Sequence, residues 1–448
     1  MIFSGGQLQG IFQAALDAAD PYRALLQTLH RDGDVLQAGG TQYDLTQYAR
    51  VVVVGAGKAA ARMAQAIESV LYERISDGLI VVKYGHALPL QFIHQTEAAH
   101  PLPDLAGVRG TQQILQLLQG LDEKTLVVCL LSGGASALLV APAPGISLQD
   151  KQHVTEMLLK SGATINELNV LRKHLSAVKG GRLALAAAPA TVLTLILSDV
   201  IGDPLEVIAS GPTAADPSSF QDAWIVLEKF HLQSEIPASV RNLLKSGMAG
   251  KLAETIKPGD ASLMHVNNLL VGSNAQALQA AAMYAESQGW PAHTLTSSLQ
   301  GEAREAALFL ARRAHETLQQ MRAGERRCLL AGGETTVTVR GKGMGGRNQE
   351  LALAFALEIE GSRGISLLSC GTDGTDGPTD AAGAMVDGNT ALLARRLGIS
   401  PEQHLADNDS WHFFSHLDEQ AGTRTQLFTG ATGTNVMDVQ LILLEKSD

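Results

Sequence analysis

Short unbroken apolar runs alternate along this chain with longer stretches whose apolar positions recur at helical spacing. The first run, 50–54, carries four consecutive valines, the pattern of a strand buried on both faces of a parallel sheet. Further strands are predicted over 77–83, 125–131, 191–197, 269–271, 292–295, 327–330 and 365–369, an alternating strand over 335–340, and an edge-like strand over 438–444. Helical spacing covers 59–71, 108–118, 148–161, 165–176, 275–288, 301–321 and 348–359. Residues 8–36 also read as helical, broken into two helices at Pro21. Alternation of this kind predicts a doubly wound α/β architecture. The apolar pattern lapses over 251–260, which reads as a linker between an N-terminal domain, 1–250, and a C-terminal domain, 251–448.

Length and charge narrow the class. A chain of 448 residues exceeds one ordinary core, in keeping with two domains. The net charge of -11 argues against nucleic acid or an anionic membrane as a bulk partner, so any anionic ligand must be held by a local cluster of cations. Cys129, Cys328 and Cys370 lie far apart in apolar runs and read as reduced core thiols, with no zinc-binding spacing. No signal pattern and no apolar run of membrane-spanning length is seen, and a cytoplasmic protein is expected. Monomer and homodimer both stay open.

The candidate chemistry sits at strand ends. Residues 341–346 open a loop with four glycines, including Gly345 and Gly346, that leads through Arg347 and Asn348 into a helix. Backbone N–H groups of such a loop can approach an anion, and the arginine fork can grip a phosphate or carboxylate. Gly55-Ala56-Gly57-Lys58 follows the first buried strand, which places Lys58 where open α/β sheets bind ligands. The turn fits a dinucleotide fingerprint, but the next strand ends in Val82-Lys83-Tyr84 rather than in the acid that holds the ribose. It is not a Walker loop either, since Ala59 stands where a Ser or Thr is needed.

Ser132-Gly133-Gly134-Ala135-Ser136 forms a second strand-end turn, and Arg172, Lys173, His174, Lys179 and Arg182 form a cationic group. Asp199 and Asp203 end another strand; Asp373, Asp376 and Asp380 alternate with Gly and Thr beyond a further one, a spacing that suits a hard cation and also metal-free Asp-Gly turns. Anion-gripping turns, two isolated cations and strand-end carboxylates together suit phosphoryl transfer.

At these motifs the sequence resembles the glycerate 2-kinases, the class II glycerate kinases with a MOFRL domain, whose members have also been called hydroxypyruvate reductases. The resemblance rests on VVVVGAGKAAARMA, LLSGGASALL, NVLRKHLSAVKGGRLA, LILSDVIGDPLEVIASGPT, GGETTVTVRGKGMGGRNQELAL, CGTDGTDGPTDAAGA and TGTNVMDV, in that order. It implies two Rossmann-like α/β domains, an active-site cleft between them, a MOFRL region over about 328–444, and ATP- and Mg²⁺-dependent phosphorylation of the 2-hydroxyl of D-glycerate. Carried onto this chain, it implies Lys58, Asp199 and Arg347 as catalytic, with Asp199 orienting the hydroxyl. Gly55, Gly57, Ser132, Gly133, Gly134, Ser136, Arg172, Lys179, Gly345, Gly346 and Asn348 are implied to contact substrate or nucleotide, and Asp373 and Asp376 magnesium. A hinge at 251–260 is expected to close the cleft. An NAD(P)-dependent hydroxypyruvate reductase is the alternative.

Overall fold

The computed structural model of the chain describes residues 5–447; positions 1–4 and 448, the outer ends of the two expected domains, lie outside it. Two compact units emerge, Pro21–Val271 and a second made of Met1–Asp20 with Gly272–Asp448. The division therefore does not fall at 250. Helix α1 (Gly5–Ala19) belongs to the second unit: Leu8, Ile11, Phe12 and Ala15 are buried, and the Ala19 carbonyl accepts a 2.6 Å hydrogen bond from Thr434 Oγ1.

In the unit Pro21–Val271 the helix after Pro21 stops at Thr28, short of the expected residue 36. Three short strands, Leu29–Asp32, Val35–Ala38 and Thr41–Asp44, form an antiparallel ribbon instead. Its turns are Asp32-Gly33-Asp34 and Gly39-Gly40, where Gly33 and Gly39 take φ of +57° and +58°, which side chains disfavour.

The main sheet of this unit contains β1 (Arg50–Ala56), β2 (Asp77–Lys83), β3 (His94–Ala98), β4 (Thr125–Leu131), β5 (Thr191–Leu197) and β6 (Val266–Gly272). The spatial order is β3-β2-β1-β4-β5-β6, and the pairings from β3 through β5 are parallel. This is the Rossmann order; its direction reverses between β1 and β4, and the carboxyl ends there form the crevice where open sheets bind ligands. Polar β3, His-Gln-Thr-Glu-Ala, escaped the sequence pattern.

Helices α2 (Ala60–Leu71) and α3 (Leu105–Leu117) flank the sheet, followed by α4 (Leu148–Lys160), α5 (Ile165–His174) and the short α6 (Arg182–Ala187). Reciprocal capping boxes, Ser147 with Asp150 and Thr164 with Glu167, start α4 and α5.

Residues 251–260 are no free linker. Thr255 and Ile256 are buried, Ile256 N donates to Gly180 O at 3.0 Å, and Asp216 N donates to Ile256 O at 2.7 Å. Glu254 accepts from Phe220 N at 2.9 Å and lies 3.1 Å from His174 Nε2. A segment tied to its own unit at so many points is unsuited to be the expected hinge.

The second unit carries α7 (Asn274–Ser287), β7 (Ala292–Leu299), α8 (Ala303–Gln320), β8 (Arg326–Gly333), α9 (Arg347–Glu358), β9 (Ile365–Gly371) and β10 (Gly383–Asp387). Helix α10 (Ser410–Ala421), β11 (Gln426–Leu427) and β12 (Asp438–Glu445) complete it. The sheet order is β7-β8-β12-β9-β10-β11, and only β7 with β8 pairs in parallel. It is a mixed sheet rather than a second Rossmann sheet. The expected edge strand, β12, lies at its centre, because Val439 to Leu444 is apolar or buried at every position and needs cover on both faces. The expected strand over 335–340 shrinks to one bridge, Thr336 to Glu302, while the Glu302 carboxylate takes Thr338 N at 3.0 Å.

Candidate functional site

At the switch point, two glycine turns lock into each other. A side chain on Gly55 would press 2.2 Å from Leu130 O, and one on Gly57, whose φ is +146°, would lie 2.0 Å from Ser132 Oγ. Small residues there let the two strand ends meet. Lys58 N then donates to Gly133 O at 2.9 Å, and Ala59 N to Ser132 Oγ at 3.1 Å. Ser132 thus occupies a donor at the mouth of α2 that the sequence left for an anion.

The same turn gathers the charged groups. A Cβ on Gly133 would sit 2.3 Å from Asp199 Oδ2; one on Gly134 would sit 2.9 Å from His100 Cδ2 and 3.3 Å from Lys58 Cγ. Lys58, Asp199 and His100 therefore surround one two-glycine turn at the ends of β1, β4 and β5. His100 was missed in the sequence, where it lies in a Pro-rich stretch without pattern. Burial, then Lys58, Lys83 and His86, hold its pKa below the usual value and favour the neutral ring. Asp203, one turn beyond Asp199, has a left-handed φ of +54°, a pKa raised by burial, and a buried Oδ1 without a donor.

Beside this turn opens a pocket of about 720 Å³, whose lining includes His100, Gly134, Ser136, Lys151, Arg172 and Lys179. Lys179 is 1% exposed; its Nζ donates to Ser136 Oγ at 3.2 Å and to Ala209 O at 3.0 Å. Ser136 and Ser210 share a 3.0 Å hydrogen bond, and Ser210 Oγ donates to Asn169 Oδ1 at 3.0 Å. Ala209 and Ser210 adopt left-handed φ of +53° and +62°, a strained corner that carries the Ala209 carbonyl bonded by Lys179.

Lys151, 6% exposed, approaches the carbonyls of Arg172 and Leu175 at 3.4 Å each. Burial, with Arg172 and Arg182 adding repulsion, lowers its pKa to about 7. Burial and then Lys151 and Arg172 depress Lys179 well below its usual value. The sequence contained this signal unread: Lys151 sits on the α4 face that also carries Val154 and Leu158, where an amphipathic helix places no lysine without reason.

The rest of the cationic group does other work. Lys173 pairs with Asp216 at 2.6 Å, both at most 5% exposed. Arg182 Nη1 donates to the Lys173 and Ser176 carbonyls at 3.0 and 2.9 Å.

In the second unit, the glycine loop before α9 turns several of its backbone donors towards its own unit. Arg340 N and Gly341 N donate to Asn408 Oδ1, Lys342 N to Asp407 Oδ1 and Met344 N to Asp409 Oδ1. Gly345 and Gly346 are small for packing: a Cβ would meet Ser410 Oγ at 2.2 Å or Asp376 Cγ at 2.2 Å. The helix mouth is likewise taken, by Asp376, which accepts Asn348 N at 3.0 Å and Gln349 N at 2.8 Å. Gln349 Nε2 adds 3.1 Å to the same carboxylate, and Asn348 Oδ1 accepts Ser369 Oγ at 2.7 Å. Asp376, 2% exposed and consumed by these donors, is a cap of α9 rather than the expected magnesium ligand. Asp373 is half-buried and accepts Thr375 N at 3.2 Å.

Arg347 is one-third exposed, with Nε and Nη2 on Asp438 at 2.6 and 2.9 Å and Nη1 on Glu334 at 2.7 Å. Burial works against its charge, but Asp438 and Glu334 prevail and raise its pKa; burial raises Asp438 to about 6 despite the arginine. Lys58 and Asp199 thus belong to one unit and Arg347 to the other. Among the described residues no group of three or more His, Cys, Asp or Glu side chains is arranged to hold a metal by itself.

Comparison with known proteins agrees with this layout. Residues 7–245 match a domain described as "Domain of unknown function (DUF4147)", and residues 327–438 match the MOFRL family. A glycerate 2-kinase from Pyrococcus horikoshii is 42% identical over 96% of this chain and 95% of its own length. A D-glycerate 2-kinase from Thermotoga maritima is 42% identical, covering 97% of each chain. A crystal structure of a glycerate kinase from Thermotoga maritima superposes with a TM-score of 0.86 at 41% identity, over 98% of this chain and 99% of that one. By its whole-length similarity in sequence and fold, this chain belongs to the glycerate 2-kinase family.

Proposed function

We infer that this chain transfers the γ-phosphoryl group of ATP to the 2-hydroxyl of D-glycerate, giving 2-phospho-D-glycerate and ADP. The observation that carries this reading is the packing of Lys58 and Asp199 against the same Gly133-Gly134 turn at the switch point of the sheet. A carboxylate there can orient the substrate hydroxyl and take its proton as the new O–P bond forms and the bond to ADP breaks. Lys58 offsets charge on the phosphoryl oxygens in transit. Arg172 and Lys179 hold anionic groups beside the turn lined by Ser132 and Ser136. Arg347, held in one orientation by Asp438, is proposed to bind charge on a substrate carboxylate or phosphate.

Magnesium would arrive with the nucleotide, keeping several waters and bound through phosphate oxygens and one or two carboxylates. The donor that fits it best is Asp203, whose Oδ1 is buried and unmatched, with Asp199 beside it in sequence. A bound Mg²⁺ would neutralise phosphate charge there. Three buried thiols, with Cys129 and Cys328 pushed up to about 12 by burial, accord with a reducing cytoplasm. No helix among the described residues is long and apolar enough to cross a membrane.

The reductase alternative lacks its ribose-binding acid, since β2 ends at Lys83. Incubating the protein with ATP, Mg²⁺ and D-glycerate should release ADP, with phosphorus NMR placing the phosphate on the 2-position; NADH absorbance with hydroxypyruvate should stay flat. Asp199→Asn is expected to cut kcat by about 10²–10⁴ while ADP affinity holds. Retained turnover in that variant would remove Asp199 from the mechanism.

A further inference from the structure

Within the pocket beside the Gly133-Gly134 turn, a serine hydroxyl meets a buried amine. Ser136 and Lys179 both line the pocket, with Oγ and Nζ 3.2 Å apart. Ser136 is half-buried and open to the pocket, whereas Lys179 is 1% exposed. Ser132, four residues earlier in the same turn, is a different case: it is buried, and its hydroxyl is taken by Ala59 N.

The amine is placed to be neutral. An ammonium carries three donors, and Lys179 finds two acceptors among the described residues, Ser136 Oγ and Ala209 O at 3.0 Å. Its charged neighbours are Lys151 and Arg172, which repel a proton on Nζ; burial is the larger effect, and together they depress its pKa well below the ordinary lysine value. A neutral amine has a lone pair, so Ser136 can donate its proton to Nζ while Nζ donates to Ala209 O. Ser210 holds the serine from another side. Its buried Oγ lies 3.0 Å from Ser136 Oγ and is itself fixed by a 3.0 Å bond to Asn169 Oδ1. The corner that supplies both Ala209 O and Ser210 is left-handed at two successive residues, backbone strain of the kind that clusters at sites of chemistry.

We propose that Ser136 is a nucleophile activated by Lys179, and that this pair hydrolyses small uncharged carboxylic esters, an activity separate from phosphoryl transfer. Ser136 Oγ bonds to the ester carbonyl carbon as its proton passes to Lys179 Nζ. The bond from that carbon to the alcohol oxygen then breaks, the electron pair leaves with the oxygen, and Lys179 returns the proton to it. Water attacks the acyl-Ser136 ester by the same proton route and releases the carboxylic acid and the free serine. Pro101, Ala137 and Val140 on the lining give an uncharged acyl or alkoxy group apolar surface. The substrate is uncharged because an anion would draw the proton back onto Lys179 and silence the serine. The same lysine thus serves either anion binding or ester cleavage, never both at once.

The test uses the full chain with p-nitrophenyl acetate, without ATP or D-glycerate. Wild type should release p-nitrophenol about 10²-fold faster than Ser136→Ala, which removes one half-buried hydroxyl and should keep the wild-type melting temperature. Acid quench followed by peptide mass spectrometry should place an acetyl group on Ser136. Lys179→Arg keeps a donor for Ala209 O but offers no base at neutral pH, and should be as slow as Ser136→Ala. Its melting temperature reports whether it is folded, and Ser136→Ala decides alone should Lys179→Arg melt early. Equal rates in wild type and Ser136→Ala, acetyl groups confined to lysines or to Ser132, or full activity in a folded Lys179→Arg would each overturn the proposal. Ester cleavage needs neither ATP nor D-glycerate as a substrate, so failure of the kinase reading would leave these outcomes as they are.

Discussion

Lys151 is a buried lysine whose charge its surroundings oppose. Its pKa in the folded chain is lowered to about 7 by burial, Arg172 and Arg182, whereas the unfolded chain holds the proton up to the ordinary lysine range. Between pH 7 and that range the unfolded state binds more protons, so stability rises with pH across this window and is least below it. Lys179, lowered by burial and then by Lys151 and Arg172, adds a slope of the same sign. Calorimetry of wild type against Lys151→Met should show the variant melting higher at pH 7 and the gap closing towards pH 10. Equal melting temperatures throughout would mean that Lys151 is not strained.

Arg347 needs a different design. Removing it leaves Asp438, 1% exposed, as an unpaired buried carboxylate, so Arg347→Ala should cost about 3 kcal/mol in stability and confound any loss of activity. Arg347→Lys keeps one charge on Asp438 but gives up the planar fork. It is expected to unfold within about 1 kcal/mol of wild type in urea while turnover falls at least tenfold. Turnover near wild type in Arg347→Lys would end the assignment of the guanidinium to catalysis.

Among elements, the loop before α9 is where sequence and structure part most. Its four glycines read as an anion cradle because backbone donors with no side chains around them look available. Residues 407–409, some sixty-five positions later, take those donors, and no local pattern announces so distant an acceptor. Asn408 is the pivot, buried at a φ of +54°, accepting from Arg340 N and Gly341 N and donating to Glu350 Oε2 at 2.9 Å. Asn408→Ala should destabilise the chain by about 2–4 kcal/mol in denaturant titration, with the loop cut first by protease. By contrast, β1, β4 and β5 were plain in the sequence, since a strand covered on both faces has to be apolar throughout. So was the strand-end turn with Lys58, Gly133 and Asp199, because the sheet's topology brings successive strand ends together. Lys151 and His100 were not found: each is one polar residue whose meaning depends on what packs around it. β12 was misread as an edge for a similar reason, since nothing local tells a strand which partners arrive from elsewhere in the chain.

At the scale of the whole molecule, the net charge of -11 and the cluster at Lys151, Arg172 and Lys179 are complementary facts. A diffuse negative surface repels polyanions in general, so affinity for a small one has to be concentrated where water is excluded. The two units also differ in how they are threaded. Pro21–Val271 is one continuous stretch, whereas the other unit takes its first helix from one end of the chain and everything else from beyond Val271. A chain beginning at Pro21 should therefore keep its Rossmann sheet and lose protection in the other unit, as hydrogen exchange of α7 and β12 would show; unchanged exchange there would mean α1 is dispensable.

That interrupted threading bears on synthesis. The apolar stripe of α1, Leu8, Ile11 and Phe12, leaves the ribosome early, while α7, against which it packs, follows some 270 residues later. At translation speeds of about 5–20 residues per second the gap lasts tens of seconds, during which a sticky segment hangs from a nascent chain whose neighbouring portion has already had time to fold. The interval is an opening for holdase chaperones and for clumping between adjacent nascent chains on a polysome.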